Sequence, residues 1–283
     1  MIKKFLLIGI LIFYLCSCKT GDINKVLDVT FTTIQATEKA VRPISEEEEY
    51  YIGRAVAARI FSYYPLYENP QLTSYINSIG KVIVLHSERP FIFGGYHFAI
   101  LNTNEVNAFA CPGGIVLVTR GMLNLLQNED ELAAVLAHEI AHLNHRDGIN
   151  SIKQARWMEA LTIIGTTAAR QFGDEEMTKL VDIFEGSIDD ILKTLIINGY
   201  SQTQEYASDE KAIHYLTKAG YNPNALINVL ERLRNIKKSE SGIGKTHPDP
   251  AERINNIRDK IPSVSIDLNA FKRRSARFSS YIK

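Results

Sequence analysis

The segment Leu132-Ala133-Ala134-Val135-Leu136-Ala137-His138-Glu139-Ile140-Ala141-His142-Leu143 constrains this chain more than any other. It contains no Gly or Pro, and Ala and Leu are strong helix formers. A helix built from it is apolar on nearly every side and has to be buried. Burial carries His138, Glu139 and His142 into a core, where a polar group without a partner costs roughly 2–7 kcal/mol. His138 and His142 stand one turn apart on one helix face. Two imidazoles at that spacing can hold one zinc ion. Glu139 is rotated by about 100° from His138. It flanks such an ion, where it can take a proton from a water that the ion activates. Two histidines on a helix surface are the alternative, and the apolar setting opposes it.

The N-terminus reads as a targeting segment. Lys3 and Lys4 precede an apolar run from Phe5 to Leu15 that is too short to span a bilayer comfortably. Leu15-Cys16-Ser17-Cys18 resembles a bacterial lipobox. The expectation is a lipoprotein signal peptide at 1–17, lipid on Cys18, and a tether with an N-terminal helix at 18–44. An ordinary cleaved signal or a retained anchor helix are the alternatives. Two or more acyl chains on Cys18 would hold the protein at a membrane surface. Lys19 is not the Asp of an inner-membrane retention signal, so the outer membrane is favoured over the inner. Of three cysteines, Cys16 would leave with the signal and Cys18 would carry lipid. Cys111 then has no partner, which excludes a disulfide framework; a small buried thiol is expected there.

The remaining chain is long and apolar enough for a proper core, with 45% hydrophobic residues. Lys+Arg and Asp+Glu both number 32, so no net charge points to nucleic acid. Ser45 with Glu48 makes a capping box for a helix over 46–63, and a second helix is expected over 71–85. Tyr96–Leu101 and Ile115–Val118 read as strands. Between them, Asn107, Ala108, Phe109 and Ala110 lead to Pro112, which removes a ladder donor and suits a sheet edge. A peptide could add there as an extra strand; a plain hairpin connection is the alternative. Asn128 caps the histidine-bearing helix with Glu131 at the third position. His145 sits near its C-terminus, where a basic group is favoured.

Ser151–Phe172 reads as an Ala-rich helix, and 173–200 as a second core-facing helical hairpin, with a lid or a membrane-facing element as the alternatives. Glu205 and Asp209 lie four apart on one helix face. They fit a third metal ligand and a carboxylate that orients a ligand histidine, most naturally His142. Two surface acids fit as well. Gly220 ends that helix, and Asn222-Pro223 starts another over 223–238. Ser239–Thr246 is a Gly-containing loop before His247-Pro248-Asp249-Pro250, where Asp249 caps a helix. After Pro262 the chain carries Lys272, Arg273, Arg274, Arg277 and Lys283 against the single acid Asp267. A solvated basic tail is expected over 263–283.

Several segments in one order resemble a single family. They are Glu49-Tyr50-Tyr51-Ile52-Gly53-Arg54, Asn107 to Gly114, Thr119-Arg120-Gly121-Met122-Leu123, the histidine-bearing helix, Glu205-Tyr206-Ala207-Ser208-Asp209, and His247-Pro248-Asp249-Pro250-Ala251-Glu252-Arg253-Ile254. Together they resemble the gluzincin metallopeptidases that include HtpX, the CAAX prenyl endopeptidases and, in the bacterial periplasmic lipoprotein branch, the β-barrel-assembly-enhancing proteases, here without a repeat domain. The likeness runs from about Glu46 to about Lys260.

The resemblance implies an α+β fold, mainly helical, around a small largely antiparallel sheet, with the metallopeptidase domain at 45–262. It implies one Zn²⁺ held by His138, His142 and Glu205, with Glu139 as general base and Asp209 behind the ligands. His247 is implied near the site, as oxyanion stabiliser or as a residue that closes the metal's open position; Arg253 is a weaker candidate for the first duty. Ser201-Gln202 stands where the family often has Ser-Arg. The implied function is zinc-dependent endopeptidase action on misfolded or misassembled envelope proteins. The alternative is a non-proteolytic zinc-containing assembly factor for outer-membrane proteins, with the outer-membrane assembly machinery as partner.

Overall fold

Ser45 opens the first helix as its spacing predicts. In a computed structural model of the chain, Ser45 Oγ accepts from the Glu48 amide and Glu48 returns a bond to the Ser45 amide at 2.8 Å. The structure describes residues 43–152, 156, 174–236, 242, 246–265 and 267–282. The expected signal peptide, Cys18 and its tether lie outside these residues, as do most of the expected 151–172 helix and of the 239–246 loop. The chain forms two compact units, residues 1–43 with 154–184 and residues 44–153 with 185–283. Within the described residues, the first unit contributes Pro43, Arg156 and the 174–184 part of one helix. All that follows concerns the second.

Its elements are α1 (Glu46–Tyr63), α2 (Pro70–Val84), β1 (His97–Leu101), β2 (Ala108–Cys111), β3 (Ile115–Thr119), α3 (Arg120–Leu125), α4 (Glu129–His145) and the single turn α5 (Asp147–Asn150). They continue with α6 (Asp174–Leu192), which crosses from the first unit, α7 (Gln202–Ala219), α8 (Ala225–Arg234), α9 (Pro250–Ile257) and α10 (Leu268–Ile282). The fold is α+β and mainly helical. No described helix is long and apolar enough to cross a membrane.

The sheet is small, with strand order β1-β3-β2. It is mixed rather than largely antiparallel: β2 pairs antiparallel with β3, while β1 pairs parallel with β3 from His97↔Ile115 to Leu101↔Thr119. The reason is topological. The chain reverses before β2 and again at the tight turn after Cys111. β1 and β3 therefore run the same way, and β1 joins β3 instead of its sequence neighbour. β2 is left as an edge, and its residues are all buried.

The core lies between this sheet, α2, α4 and the helices that follow, with Ile76, Ile100, Val116, Leu136, Leu216 and Ile257 almost fully enclosed. α4 runs through its middle, buried from Glu129 to Leu143. α8 starts two residues later than expected, because Asn222 Oδ1 accepts from the Asn224 amide at 3.0 Å and holds 222–224 in a turn, and it ends at Arg234.

The basic end after Pro262 is not a solvated tail. Leu268–Ile282 is a helix that buries Phe278, and Tyr281 stacks on Tyr75 with ring centres 4.4 Å apart. Three consecutive acids in the first turn of α4 explain why it packs. Glu129, Asp130 and Glu131 are each buried, and each meets a guanidinium through two nitrogens. Arg277 holds Glu129, Arg274 holds Asp130 at 2.6 and 3.0 Å, and Arg232 of α8 holds Glu131 at 2.9 and 3.1 Å. Charge-assisted pairs of this geometry offset the cost of burying the carboxylates, and acids also suit a helix N-terminus.

Candidate metal centre

α4 delivers His138, Glu139 and His142 into the core at 4%, 3% and 1% exposure. Its start is fixed by Asn128, whose side chain accepts from the Glu131 amide at 3.0 Å. Its end is abrupt. Arg146 adopts a left-handed conformation, φ 59°, and turns the chain back so that Asp147 faces the helix it has just left.

The two imidazoles converge, with His138 Nε2 and His142 Nε2 3.1 Å apart. Glu205, one turn into α7, faces both: its oxygens lie 3.4 Å from His138 Nε2 and 3.5 Å from His142 Nε2. His247 joins from the segment before α9, with Nδ1 2.8 Å from Glu205 Oε1. Gly199 helps to place it. That residue has φ 74°, and a side chain there would run into the Thr246 backbone. One ligand atom from each of His138, His142, Glu205 and His247 falls within a 4.8 Å span.

Each α4 histidine is held from behind by a carboxylate. His142 Nδ1 lies 2.8 Å from Asp147 Oδ2, and His138 Nδ1 lies 3.0 Å from Asp209 Oδ1. The expected partner of Asp209 was His142, and the structure corrects this. α7 crosses α4, so that Gln204 and Ser208 face the end of α4 while Asp209 faces His138. Asp147, which the sequence did not single out, takes the place beside His142.

A proton on each Nδ1, shared with its carboxylate, leaves both Nε2 lone pairs pointing at each other. Both Glu205 oxygens are buried and accept no hydrogen bond. Acceptors crowded together in this way repel one another unless a cation lies among them. The donor set of imidazole nitrogens and one carboxylate therefore fits a divalent metal ion, and the carboxylates behind the rings are the usual supports of such ligands.

The electrostatics agree. Burial disfavours charge on His142, yet Asp147 and Glu205 outweigh it and raise the imidazole to about 10. Burial also pushes the Glu205 carboxyl up, but His247 and Arg253 hold it well below the ordinary carboxylate range. The pocket favours positive charge, as a proton or as a metal ion.

Arg253 completes the surroundings. It is 3% exposed and grips Asp209 through Nε at 2.9 Å and Nη2 at 2.6 Å, while Nη1 lies 3.3 Å from Glu205 Oε2. Burial alone would raise Asp209; with Arg253 against it the carboxyl is lowered to about 2. Arg253 thus holds the two α7 acids in place. Tyr200 stacks on the His142 ring at 4.2 Å, and its buried hydroxyl has no hydrogen-bond partner. Neither the grip of Arg253 on Asp209 nor the Tyr200 stack was legible in the sequence.

Glu139 points to one side of the donors. It lines a narrow cleft in which apolar side chains such as Met122, Val135, Leu226 and Leu230 meet His138, His247 and Arg253. Cys111, on β2, is fully buried, and burial with Glu139 nearby pushes its thiol far up, which leaves it unreactive. Of the expected substrate edge, Ala108, Phe109 and Ala110 lie on β2, and Asn107 just before it is fixed by its amide to Thr119 Oγ1 at 3.0 Å.

The sequence profile of Peptidase family M48 matches residues 70–261. The β-barrel assembly-enhancing protease of Yersinia pestis is 29% identical over 227 residues, which cover 77% of this chain and 44% of that protein. The protein of the same name from Escherichia coli (strain K12) is 28% identical over 220 residues. The metalloprotease LoiP of Escherichia coli (strain K12) is 23% identical over 257 residues, 89% of this chain and 94% of that protein. The chain spans less than half the length of the β-barrel assembly-enhancing proteases it matches.

Proposed function

The chain belongs to peptidase family M48, and from that premise we propose that it is a zinc-dependent endopeptidase of the bacterial envelope. The observation that carries this reading is the convergence of His138 Nε2, His142 Nε2 and Glu205, each ring backed by its own carboxylate. His138, His142 and Glu205 would hold the ion. When bound, Zn²⁺ polarises a carbonyl and lowers the pKa of water toward neutrality.

The chain's own residues do the rest. Asp209 and Asp147 fix the tautomers and orientation of the two rings. Glu139 accepts the proton of the attacking water and returns it to the leaving amine, so its carboxylate ends as it began. The narrow apolar cleft beside Glu139 keeps bulk water from the reacting atoms. The substrate backbone would lie along Asn107–Ala110 at the edge of β2, which is buried in the free chain and has to be uncovered before a strand can add. His247 donates to the oxygen on which negative charge develops. Substrates are misfolded or misassembled envelope proteins, a reading supported by the relatives named for β-barrel assembly. The protein is held at the periplasmic face, in the outer membrane rather than the inner, by lipid on Cys18.

A second reading rests on one observation. His247 stands among the other three donors, and four protein donors describe a closed metal site. On that reading the chain is a latent enzyme, or a zinc-containing assembly factor that does not cleave.

Casein cleavage by wild type and by Glu139→Gln, with zinc measured on both, tests the proposal. Cleavage by wild type alone at equal zinc content is the expected result. If neither cleaves while both hold zinc, His247→Ala separates latency from the assembly-factor reading: recovered cleavage marks a latent enzyme. A folded sample without stoichiometric zinc overturns the account.

A further inference from the structure

The loop before β1 displays aromatic side chains to solvent. Phe91 is 83% exposed and Phe93 43%, and Tyr51 on α1 is 56% exposed. Tyr51 and Phe93 belong to one patch, and Phe91 stands two residues before Phe93 on the same loop. Tyr50 lies between them, edge-on to Tyr51 and to Phe93 at 5.1 Å each, with the Arg54 guanidinium 3.3 Å above its ring.

This display is built. Gly94 and Gly95 both have positive φ, 76° and 69°, and a side chain at Gly94 would collide with the Tyr50 ring. The base of the loop is tied down three ways. The Arg89 amide donates to Asn144 Oδ1 at 2.7 Å, the Tyr96 hydroxyl donates to the Arg89 carbonyl at 2.8 Å, and the Arg89 side chain pairs with Glu46 at 3.0 Å. A fixed turn that holds large apolar rings in water is a standing cost unless something covers them.

We propose that this patch rests in the interfacial layer of a phospholipid bilayer. Two observations select that partner. The rings stand on the second turn of α1 and the loop bound to it, and α1 is the first described helix after the segment expected to carry lipid on Cys18. The composition is also that of an interface: exposed Tyr51 on α1 and exposed Phe91 and Phe93 on the loop, with half-buried Tyr50 and Arg54 between, suit the headgroup level of a membrane. The acids Glu46, Glu47 and Glu48 beside the patch disfavour a strongly anionic surface, so the bilayer it fits is one rich in phosphatidylethanolamine. The proposal rests on the lipid-anchor reading for its geometry, and the two can fail separately.

The test uses the full chain, purified from membranes of an expressing bacterium and returned to phosphatidylethanolamine vesicles with or without brominated acyl chains. Phe91→Trp places a fluorescent reporter on the patch. Tyr63→Trp places a control reporter on the exposed far end of α1, and parent emission from the single native Trp157 is subtracted from both. The expected result is quenching of the patch reporter by brominated lipid at least twofold stronger than that of the control. Equal quenching of the two, or protection of the patch reporter by casein instead of by lipid, overturns the proposal. Mass spectrometry of the same preparation reports acylation of Cys18. Acylated protein with an unquenched patch reporter sinks the patch and leaves the anchor standing. Unacylated protein with a quenched patch reporter sinks the anchor and leaves the patch.

Discussion

Asp147 reaches back across the end of α4 to meet His142, with Oδ2 2.8 Å from Nδ1. They stand five positions apart in sequence, and the left-handed turn at Arg146 closes the distance. The same carboxylate also accepts from Gln204 Nε2 at 2.9 Å, so one side chain ties the histidine to the first turn of α7.

Asp147→Asn keeps the shape of this contact and removes its charge. The His142 ring becomes a weaker donor, and zinc affinity should fall about 10- to 100-fold with the fold intact. Competition against a chromophoric chelator measures it. Wild-type affinity in the variant would show that Asp147 does not support the ligand.

Metal removal should loosen the protein. Without a metal ion only protonation of the imidazoles and the flanking Arg253 offset the crowding of the two Nε2 atoms against the Glu205 oxygens. The thermal midpoint should drop on chelation and rise again with added Zn²⁺ in proportion to the logarithm of its free concentration, as linkage requires. A midpoint indifferent to chelator would refute the donor assignment.

Arg253 and Asp209 form a buried pair whose halves depend on each other. Arg253→Met leaves the Asp209 charge without its main partner and should cost about 3–5 kcal/mol, read from the urea midpoint. Adding Asp209→Asn should recover part of that loss. Additive losses in the double variant would mean that the pair is not coupled.

The arginines of α10 should differ in importance. Glu129 has two further donors, the hydroxyls of Tyr75 at 2.8 Å and Tyr221 at 3.2 Å, whereas Asp130 has only the Asn222 amide besides Arg274 among the bonds described. Arg274 is also the more buried of the two, 15% against 52% exposed. Arg274→Ala should therefore lower the melting temperature more than Arg277→Ala. The reverse order in calorimetry would contradict the geometry.

Tyr96 predicts an alkaline limit. Burial, with Glu49 nearby, pushes its hydroxyl up to about 12 against the pull of Arg89. In the unfolded chain a tyrosine ionises near 10. Its contribution is therefore complete below about pH 10 and is lost as pH rises from there to about 12. Tyr96→Phe should flatten the fall in stability over that window, measured by urea titrations at about pH 9 to 11.5.

Local patterns carried much of this into the sequence. The all-round apolar character of 132–143 gave the depth of α4, Ser45 with Glu48 gave the start of α1, and the i, i+4 spacing of Glu205 and Asp209 put both on the inner face of α7. What was not legible depends on crossing angles and on one backbone conformation. Periodicity says which face of a helix is buried but not what meets it, so Asp209 could be placed behind a histidine without saying which. A left-handed residue is expected to be Gly or Asn; Arg146 gives no such sign, and Asp147 stayed hidden with it. The basic run 272–277 looked solvated because its partners are the acids of α4, some 140 residues earlier in the chain.

The grip of α10 on α4 also makes the C-terminus a mechanical terminal. A pull on the chain at its last helix passes through Arg274 and Arg277 into Asp130 and Glu129, the residues that open α4. From Asp130 to His138 the path is about 12 Å of unbroken buried helix, packed on all sides and without a joint to absorb the load. Tension, a docked mass or a fused module at that end would be felt as strain at the first histidine.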